Sequence, residues 1–164
     1  MKQIPKKNSV KTFGCRLNLL ESELIEQSLD FSEKNILVVN TCAVTNEAEK
    51  QAKQYIRKIS KDNPDLKIVA TGCSVQIRPE EWSKMPEVYK IFGNTEKLKV
   101  ETWKNINNNR SSFTDIMKET EINPFFVPGF KERTRAFLQI QQGCDHRCTF
   151  CTVSYTHLTL PTNS

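Results

Sequence analysis

Residues 36–42 read Ile-Leu-Val-Val-Asn-Thr-Cys, and this stretch decides the fold. Four consecutive apolar residues are typical of a strand that is buried on both faces, as the inner strands of parallel sheets are. Residues 46–61 follow with a long charged pattern that predicts a helix, which ends before Pro64. A buried strand followed directly by a helix is the repeating unit of α/β proteins.

The same alternation of strand and helix extends in both directions from this stretch. The other predicted strands cover residues 9–13, 67–71 and 88–92, and the other predicted helices cover residues 18–31, 79–84 and 95–105. Repeated units of this kind predict a parallel sheet that is covered by helices. We therefore expect residues 1–106 to form a flavodoxin-like or Rossmann-like α/β domain.

The composition favours a folded protein of the cytoplasm. The chain has 164 residues, of which 37% are hydrophobic and 26% are charged, and its net charge is +5. Such a charge is compatible with an RNA partner but does not require one. No apolar run approaches the roughly 18 residues of a membrane span, so we expect no membrane partner. In a reducing compartment, the six cysteines are interpreted as metal ligands or redox groups before disulfides.

Three cysteines lie close together near the end of the sequence and are called the loop cysteines here. They are Cys144, Cys148 and Cys151, spaced C-x3-C-x2-C, and they follow a predicted strand over residues 134–141. Short loops allow three soft thiolates to reach three corners of one cubane iron–sulfur cluster. The fourth iron would then remain open for a small molecule.

The remaining three cysteines each follow a predicted strand and are called the strand-end cysteines. They are Cys15, Cys42 and Cys73. Because the carboxyl ends of parallel strands lie at one edge of a sheet, where ligands bind in open α/β folds, these thiols could converge on a second cubane. Two other interpretations stay open. A cysteine after a strand is often a small buried packing residue, and zinc is a further candidate metal, although it favours four protein ligands.

Four segments together resemble one family. In order, they resemble the motifs of the radical S-adenosylmethionine (SAM) methylthiotransferases. The segments are residues 12–18 (Thr-Phe-Gly-Cys-Arg-Leu-Asn) with Glu21 and Ser22 after them, 39–45 (Val-Asn-Thr-Cys-Ala-Val-Thr), 71–73 (Thr-Gly-Cys) and 142–151. Within that family, residues 40–46 are most similar to the branch that acts on threonylcarbamoyladenosine beside the tRNA anticodon. The isopentenyladenosine branch and the ribosomal-protein branch are the alternatives.

The resemblance implies two 4Fe-4S clusters and SAM as cofactors. The loop cysteines would hold the SAM cluster, which reduces SAM to a radical, and Phe150 would line the bound SAM or pack under the loop. The strand-end cysteines would hold an auxiliary cluster that supplies the methylthio sulfur. The implied product carries a methylthio group at C2 of N6-threonylcarbamoyladenosine at tRNA position 37. The implied partners are the tRNA anticodon loop and a flavodoxin-like reductant. An iron–sulfur electron carrier or redox sensor is the alternative from another class.

The end of the sequence departs from the family pattern. Residues 107–131 are rich in Asn, Ser and Pro and predict a linker, and residues 132–151 would begin a radical SAM (β/α) barrel. Residues 152–164 contain no Asp, Glu, Lys or Arg, so we expect them to be a non-native tail. A barrel of this kind needs on the order of 200 residues. We therefore expect the 164-residue chain to be inactive by itself.

Several polar residues have more than one interpretation. Residues Asn18, Asn40 and Thr41 occupy motif positions, but side chains of these types also cap helices and bond to loops. The predicted helix over 46–61 carries a basic run, which is most often a solvated face and alternatively contacts RNA. That run consists of Lys50, Lys53, Arg57, Lys58 and Lys61.

Overall fold

A computed structural model describes residues 8–29, 35–104, 106, 111–116, 143–144, 146 and 148–157. These residues contain four strands: β1 (Ser9–Thr12), β2 (Ile36–Thr41), β3 (Lys67–Gly72) and β4 (Lys90–Phe92). They also contain α1 (Arg16–Leu29), α2 (Asn46–Asp62), α3 (Cys73–Ile77), α4 (Pro79–Ser83), α5 (Val100–Lys104) and α6 (Val153–Thr156), with a 3-10 helix over Glu96–Leu98. No helix in these segments is long and apolar enough to cross a membrane.

The four strands form one parallel sheet in the order β1-β2-β3-β4. All six residues of β2 are buried, and its register pairs Leu37 with Ile68 and Thr41 with Gly72. A strand that packs on both faces must be apolar at consecutive positions, which explains the uninterrupted apolar run of β2. The parallel α/β fold predicted from the sequence is therefore confirmed.

Two hydrophobic cores lie on opposite faces of the sheet. Leu37 and Val39 face one core, which α2 and α4 cover with residues such as Ile56 and Trp82. The alternate residues of β2 face the other core, which α1 and α5 cover with residues such as Ile25, Leu29 and Trp103. Helices α1 and α2 therefore lie on opposite faces, although successive strands advance in one direction across the sheet. It follows that the first crossover differs in hand from the second, whereas such crossovers are nearly always right-handed.

Helix α2 has a clear start signal. The Thr45 hydroxyl accepts a hydrogen bond from the Ala48 N–H at 3.3 Å, and Glu47 and Glu49 lie in the first turn. A capping hydroxyl and early carboxylates both stabilise a helix N-terminus. The position of α2 matters for the site, because its first turn follows Cys42 closely.

The region predicted as one helix over residues 95–105 is two helices instead. Lys99 has an extended conformation (φ −89°, ψ 121°) between the 3-10 helix and α5. The Trp103 indole N–H donates to the Lys97 carbonyl at 2.8 Å. In a continuous α-helix, that carbonyl would instead accept a hydrogen bond from the backbone N–H four residues later. The prediction of a single helix was therefore wrong, because a side-chain hydrogen bond replaces a backbone one.

The structure describes only part of the predicted second half. The Gly93 N–H donates to the Ser112 carbonyl at 3.2 Å, and Gln76 donates to the Thr114 carbonyl at 3.2 Å, so residues 111–116 of the predicted linker lie against the sheet domain. The predicted barrel strand over 134–141 lies outside the described residues. The predicted end of the first helix at residue 31 also lies outside them, and α1 is described to Leu29.

Candidate metal centre

The strand-end cysteines lie at one edge of the sheet. Cys42 directly follows β2, Cys73 directly follows β3 as the first residue of α3, and Cys15 lies between β1 and α1. Cys15 is exposed, whereas Cys42 and Cys73 are buried. The parallel topology alone brings these positions together, because all four strands end at the same side.

Two glycines allow the backbone to approach closely at this edge. Gly72 has φ +101°, a conformation that side chains rarely adopt, and a Cβ there would come within 3.0 Å of the Thr41 backbone. Gly14 has φ +147°, and a Cβ there would come within 3.0 Å of the Cys42 side chain. The glycines that precede Cys15 and Cys73 therefore fit the close packing of the strand ends.

Cys15 and Cys42 interact directly. A hydrogen bond from the Cys42 thiol holds the pKa of Cys15 at about 5, and the backbone N–H groups of Asn18 and Leu17 act in the same direction. The same pairing, together with burial, raises the pKa of Cys42 above its usual range. When it is protonated, the Cys15 thiol donates to Asn18 Oδ1 at 3.1 Å. Cys15 is thus the thiol at this edge that is most readily available as a thiolate.

Cys73 adds a third sulfur to the same electrostatic environment. Burial raises the pKa of Cys73, and the nearby Lys97 ammonium opposes that rise. A thiolate at Cys73 also contributes to the raised pKa of Cys42. The Thr156 hydroxyl, in the segment predicted to be non-native, acts on the pKa of Cys73 in the same lowering direction as Lys97. The three sulfurs are therefore close enough to influence one another's ionisation.

A buried ion pair lies beside the strand-end cysteines. Lys97 Nζ is 2.6 Å from Glu21 Oε2, and the side chains are 0% and 5% exposed. Sequence reasoning missed this pair. Glu21 belongs to the first family motif, but Lys97 falls in the predicted helix over residues 95–105, and nothing in its local pattern indicates burial. Its ammonium places a positive charge near Cys73.

The polar motif residues join the strand ends to one another. Asn18 Nδ2 donates to the Thr41 carbonyl at 3.0 Å, and Asn40 Nδ2 donates to the Asn18 carbonyl at 3.0 Å and to Ser22 Oγ at 3.1 Å. The Thr41 hydroxyl donates to the Thr71 carbonyl at 2.7 Å. These residues hold the edge together through hydrogen bonds, which is the loop-bonding role that one interpretation of the sequence predicts.

The donor set at this edge consists of three thiols on loops that glycines and amides fix, and thiolates are the ligands that iron–sulfur clusters take. In the segments that the structure describes, no group of three or more His, Cys, Asp or Glu side chains is arranged to hold a metal ion. That the three strand-end cysteines ligate a cluster therefore stays a prediction.

The loop cysteines are described only in part. Cys148 is exposed, Cys144 and Cys151 are partly exposed, and the Cys151 N–H donates to the Cys148 carbonyl at 3.0 Å. Phe150 is 90% exposed, so it does not pack under the loop. The contact of Phe150 with SAM stays a prediction.

Comparisons with known proteins agree on one family. The model of "Uncharacterized protein family UPF0004" matches residues 7–93. The chain is 49% identical over 150 residues to "Threonylcarbamoyladenosine tRNA methylthiotransferase MtaB" of Rickettsia prowazekii (strain Madrid E). The matched residues make up 91% of this chain and 35% of the relative. The protein of the same name from Bacillus subtilis (strain 168) is 34% identical to this chain, and the match covers 88% of this chain and 35% of the relative.

A third relative has a different named product. It is "tRNA-2-methylthio-N(6)-dimethylallyladenosine synthase" of Roseobacter denitrificans (strain ATCC 33942 / OCh 114), 28% identical over 168 residues, with 93% of this chain and 38% of the relative covered. The chain thus spans somewhat more than a third of the length of each of these relatives.

Proposed function

This chain belongs to the uncharacterized protein family UPF0004, and from that premise we propose that it is the cluster-binding part of a radical SAM tRNA methylthiotransferase. The observation that supports the proposal most directly is the placement of the strand-end cysteines at one edge of a parallel sheet. The names of the relatives indicate the reaction class, since all three are tRNA-modifying methylthio enzymes. We propose a cytoplasmic location on the same basis.

The proposed substrate is N6-threonylcarbamoyladenosine in the anticodon loop of tRNA, which receives a methylthio group at C2. The relatives named for threonylcarbamoyladenosine have 49% and 34% identity, against 28% for the relative named for dimethylallyladenosine. Nucleoside mass spectrometry of tRNA from a strain lacking the parent gene tests the substrate. Loss of the methylthio group from threonylcarbamoyladenosine alone is expected, and its loss from isopentenyladenosine would contradict the proposed branch.

In this proposal the strand-end cysteines would hold one 4Fe-4S cluster and the loop cysteines would hold another. When bound, the clusters supply electrons from an external reductant, flavodoxin-like in kind, for SAM cleavage and supply the sulfur that is transferred. The residues of the chain have supporting tasks. Cys15 is readily deprotonated and is therefore prepared to ligate iron. The Lys97 ammonium offsets part of the negative charge that thiolates bring to a buried site.

Iron and sulfide analysis after anaerobic reconstitution tests the two sites separately. We expect roughly eight irons per unaltered chain, and roughly four in a triple Ala variant of the strand-end cysteines. The matched control is a triple Ala variant of the loop cysteines, which should also keep roughly four. Unchanged iron after loss of the strand-end cysteines would show that they are packing residues. Zinc in place of iron would contradict the cluster assignment.

A further inference from the structure

A basic groove lies beside α2, and none of the strand-end cysteines lines it. Its cavity volume is about 510 Å³, and four cations line it together with one carboxylate. The cations are Lys50, Lys53, Arg57 and Arg78, and the carboxylate is Glu49. The groove therefore has a net positive charge and favours an anionic ligand.

Two of these cations are already engaged within the protein. Glu49 accepts hydrogen bonds from Lys53 Nζ at 2.7 Å and from the Ser74 hydroxyl at 2.7 Å, and it also pairs with Arg78. Lys53 lies 3.1 Å from Glu81 as well. The buried carboxylate of Glu49 therefore fixes one wall of the groove, and it partly neutralises the cations that it holds.

The other two cations face solvent. Lys50 and Arg57 are exposed, and within the described segments neither side chain has a hydrogen bond or ion pair. They are seven residues apart on one helix, which is two turns or about 10 Å along its axis. That separation suits the phosphates of different nucleotides in a strand rather than the oxygens of a single phosphate.

The groove adjoins the edge of the sheet that carries the cysteines. Helix α2 begins four residues after Cys42, and Ser74, which bonds to Glu49, follows Cys73 directly. The end of the groove that Asn46 lines is thus the end nearer to the proposed metal centre.

We infer that the basic groove binds the sugar–phosphate backbone of the RNA substrate, with Lys50 and Arg57 contacting phosphates. This inference rests on the proposed function, because an RNA whose base is modified at the strand-end cysteines must have its backbone beside them. Phosphate contacts position a nucleic acid without reading its sequence. The groove would accordingly set the position of the anticodon stem-loop and leave base selection to other residues.

Binding of a fluorescein-labelled anticodon stem-loop RNA, measured by fluorescence anisotropy over a series of salt concentrations, tests the inference. The variant is Lys50→Ala with Arg57→Ala in the 164-residue chain. We expect its affinity to fall roughly tenfold at low salt, and the slope of log K against log salt to decrease by about 1.5, since each lost phosphate contact removes about 0.7–0.9. Both side chains are exposed and alanine favours helices, so the thermal melting temperature should not fall.

The matched control is Lys84→Ala with Lys99→Ala, which removes the same charge from exposed positions outside the groove. Its affinity should change less than about twofold. Equal losses in the two double variants would overturn the inference, since binding would then depend on overall charge. Failure of the unaltered chain to bind RNA would overturn it too, as would poly-glutamate binding that competes equally with the RNA.

Iron analysis separates this inference from the proposed function. The Lys50→Ala, Arg57→Ala variant should incorporate as much iron as the unaltered chain, because neither residue is a proposed ligand. If iron is incorporated but the groove variant binds RNA normally, only the groove inference fails. If the groove variant loses RNA affinity but no chain incorporates iron, the proposed cluster function fails and the groove inference stands.

Discussion

At the scale of single residues, the cysteines could be identified from the sequence but their surroundings could not. The strand-end cysteines follow recognisable apolar runs, so their shared edge follows from topology alone. Lys97 could not be identified, because its burial depends on Glu21, which lies 76 residues earlier in the chain. Burial of a lysine reflects a distant partner, and local periodicity carries no information about such a partner.

Gly72 provides a prediction at this scale. A Gly72→Ala change puts a methyl group against the Thr41 backbone at a φ of +101°, and neither group can move aside easily. We expect the free energy of unfolding to fall by roughly 3 kcal/mol or more, from backbone strain together with the clash. Urea unfolding followed by circular dichroism measures the loss.

Gly93→Ala is the control for Gly72→Ala. Its Cβ would meet only the ends of the Glu96 and Gln76 side chains and no backbone atom, and its backbone is not in the left-handed region. The loss of unfolding free energy should therefore be clearly smaller. Equal losses of unfolding free energy in the two variants would contradict this prediction, because close backbone contact at the strand ends would then not explain the need for glycine at position 72.

At the scale of elements, strands β2 to β4 were predicted well because each contains a run of consecutive buried apolar residues. The predicted strands over 67–71 and 88–92 correspond to Lys67–Gly72 and Lys90–Phe92. Short helices were predicted unevenly: the predicted helix over 79–84 corresponds to α4 (Pro79–Ser83), whereas α3 was not predicted. Helix α3 has only five residues, too few to show a helical period, and the segment over 95–105 is divided by the Trp103 hydrogen bond to Lys97.

The Glu21–Lys97 pair joins α1 to the 3-10 helix, and its removal should separate them. Lys97→Met leaves the Glu21 carboxylate buried without its partner, and we expect the free energy of unfolding to fall by roughly 3–5 kcal/mol. Lys99→Met is the control, because Lys99 is exposed and lies only two residues away. It should change the free energy of unfolding by less than about 0.5 kcal/mol. Urea denaturation measures both variants.

A double variant checks the physical reason for this loss. Glu21→Gln combined with Lys97→Met removes both charges, so the total loss should be smaller than the sum of the two single losses. If the single losses simply added, the two side chains would not be stabilising each other. The pair would then contribute packing alone.

At the scale of the whole molecule, the fold should not depend on the metal. The two hydrophobic cores lie on the faces of the sheet, and neither contains a strand-end cysteine. Removing iron from the reconstituted chain with a chelator should leave the far-ultraviolet circular dichroism spectrum unchanged. The melting temperature should fall, because a ligand that binds only the folded state stabilises it. A collapse of the helical signal on chelation would contradict this prediction.

The sheet has one more property at this scale, which concerns the order in which its parts are made. Because the strands lie side by side in the order in which they occur in the chain, each can join its neighbour as it leaves the ribosome. Cys73 follows Cys42 by 31 residues, a synthesis time of about 1.5 to 6 s at roughly 5–20 residues per second. During that interval the nascent protein has two of its three strand-end thiols, and iron delivered then would meet an incomplete set of ligands.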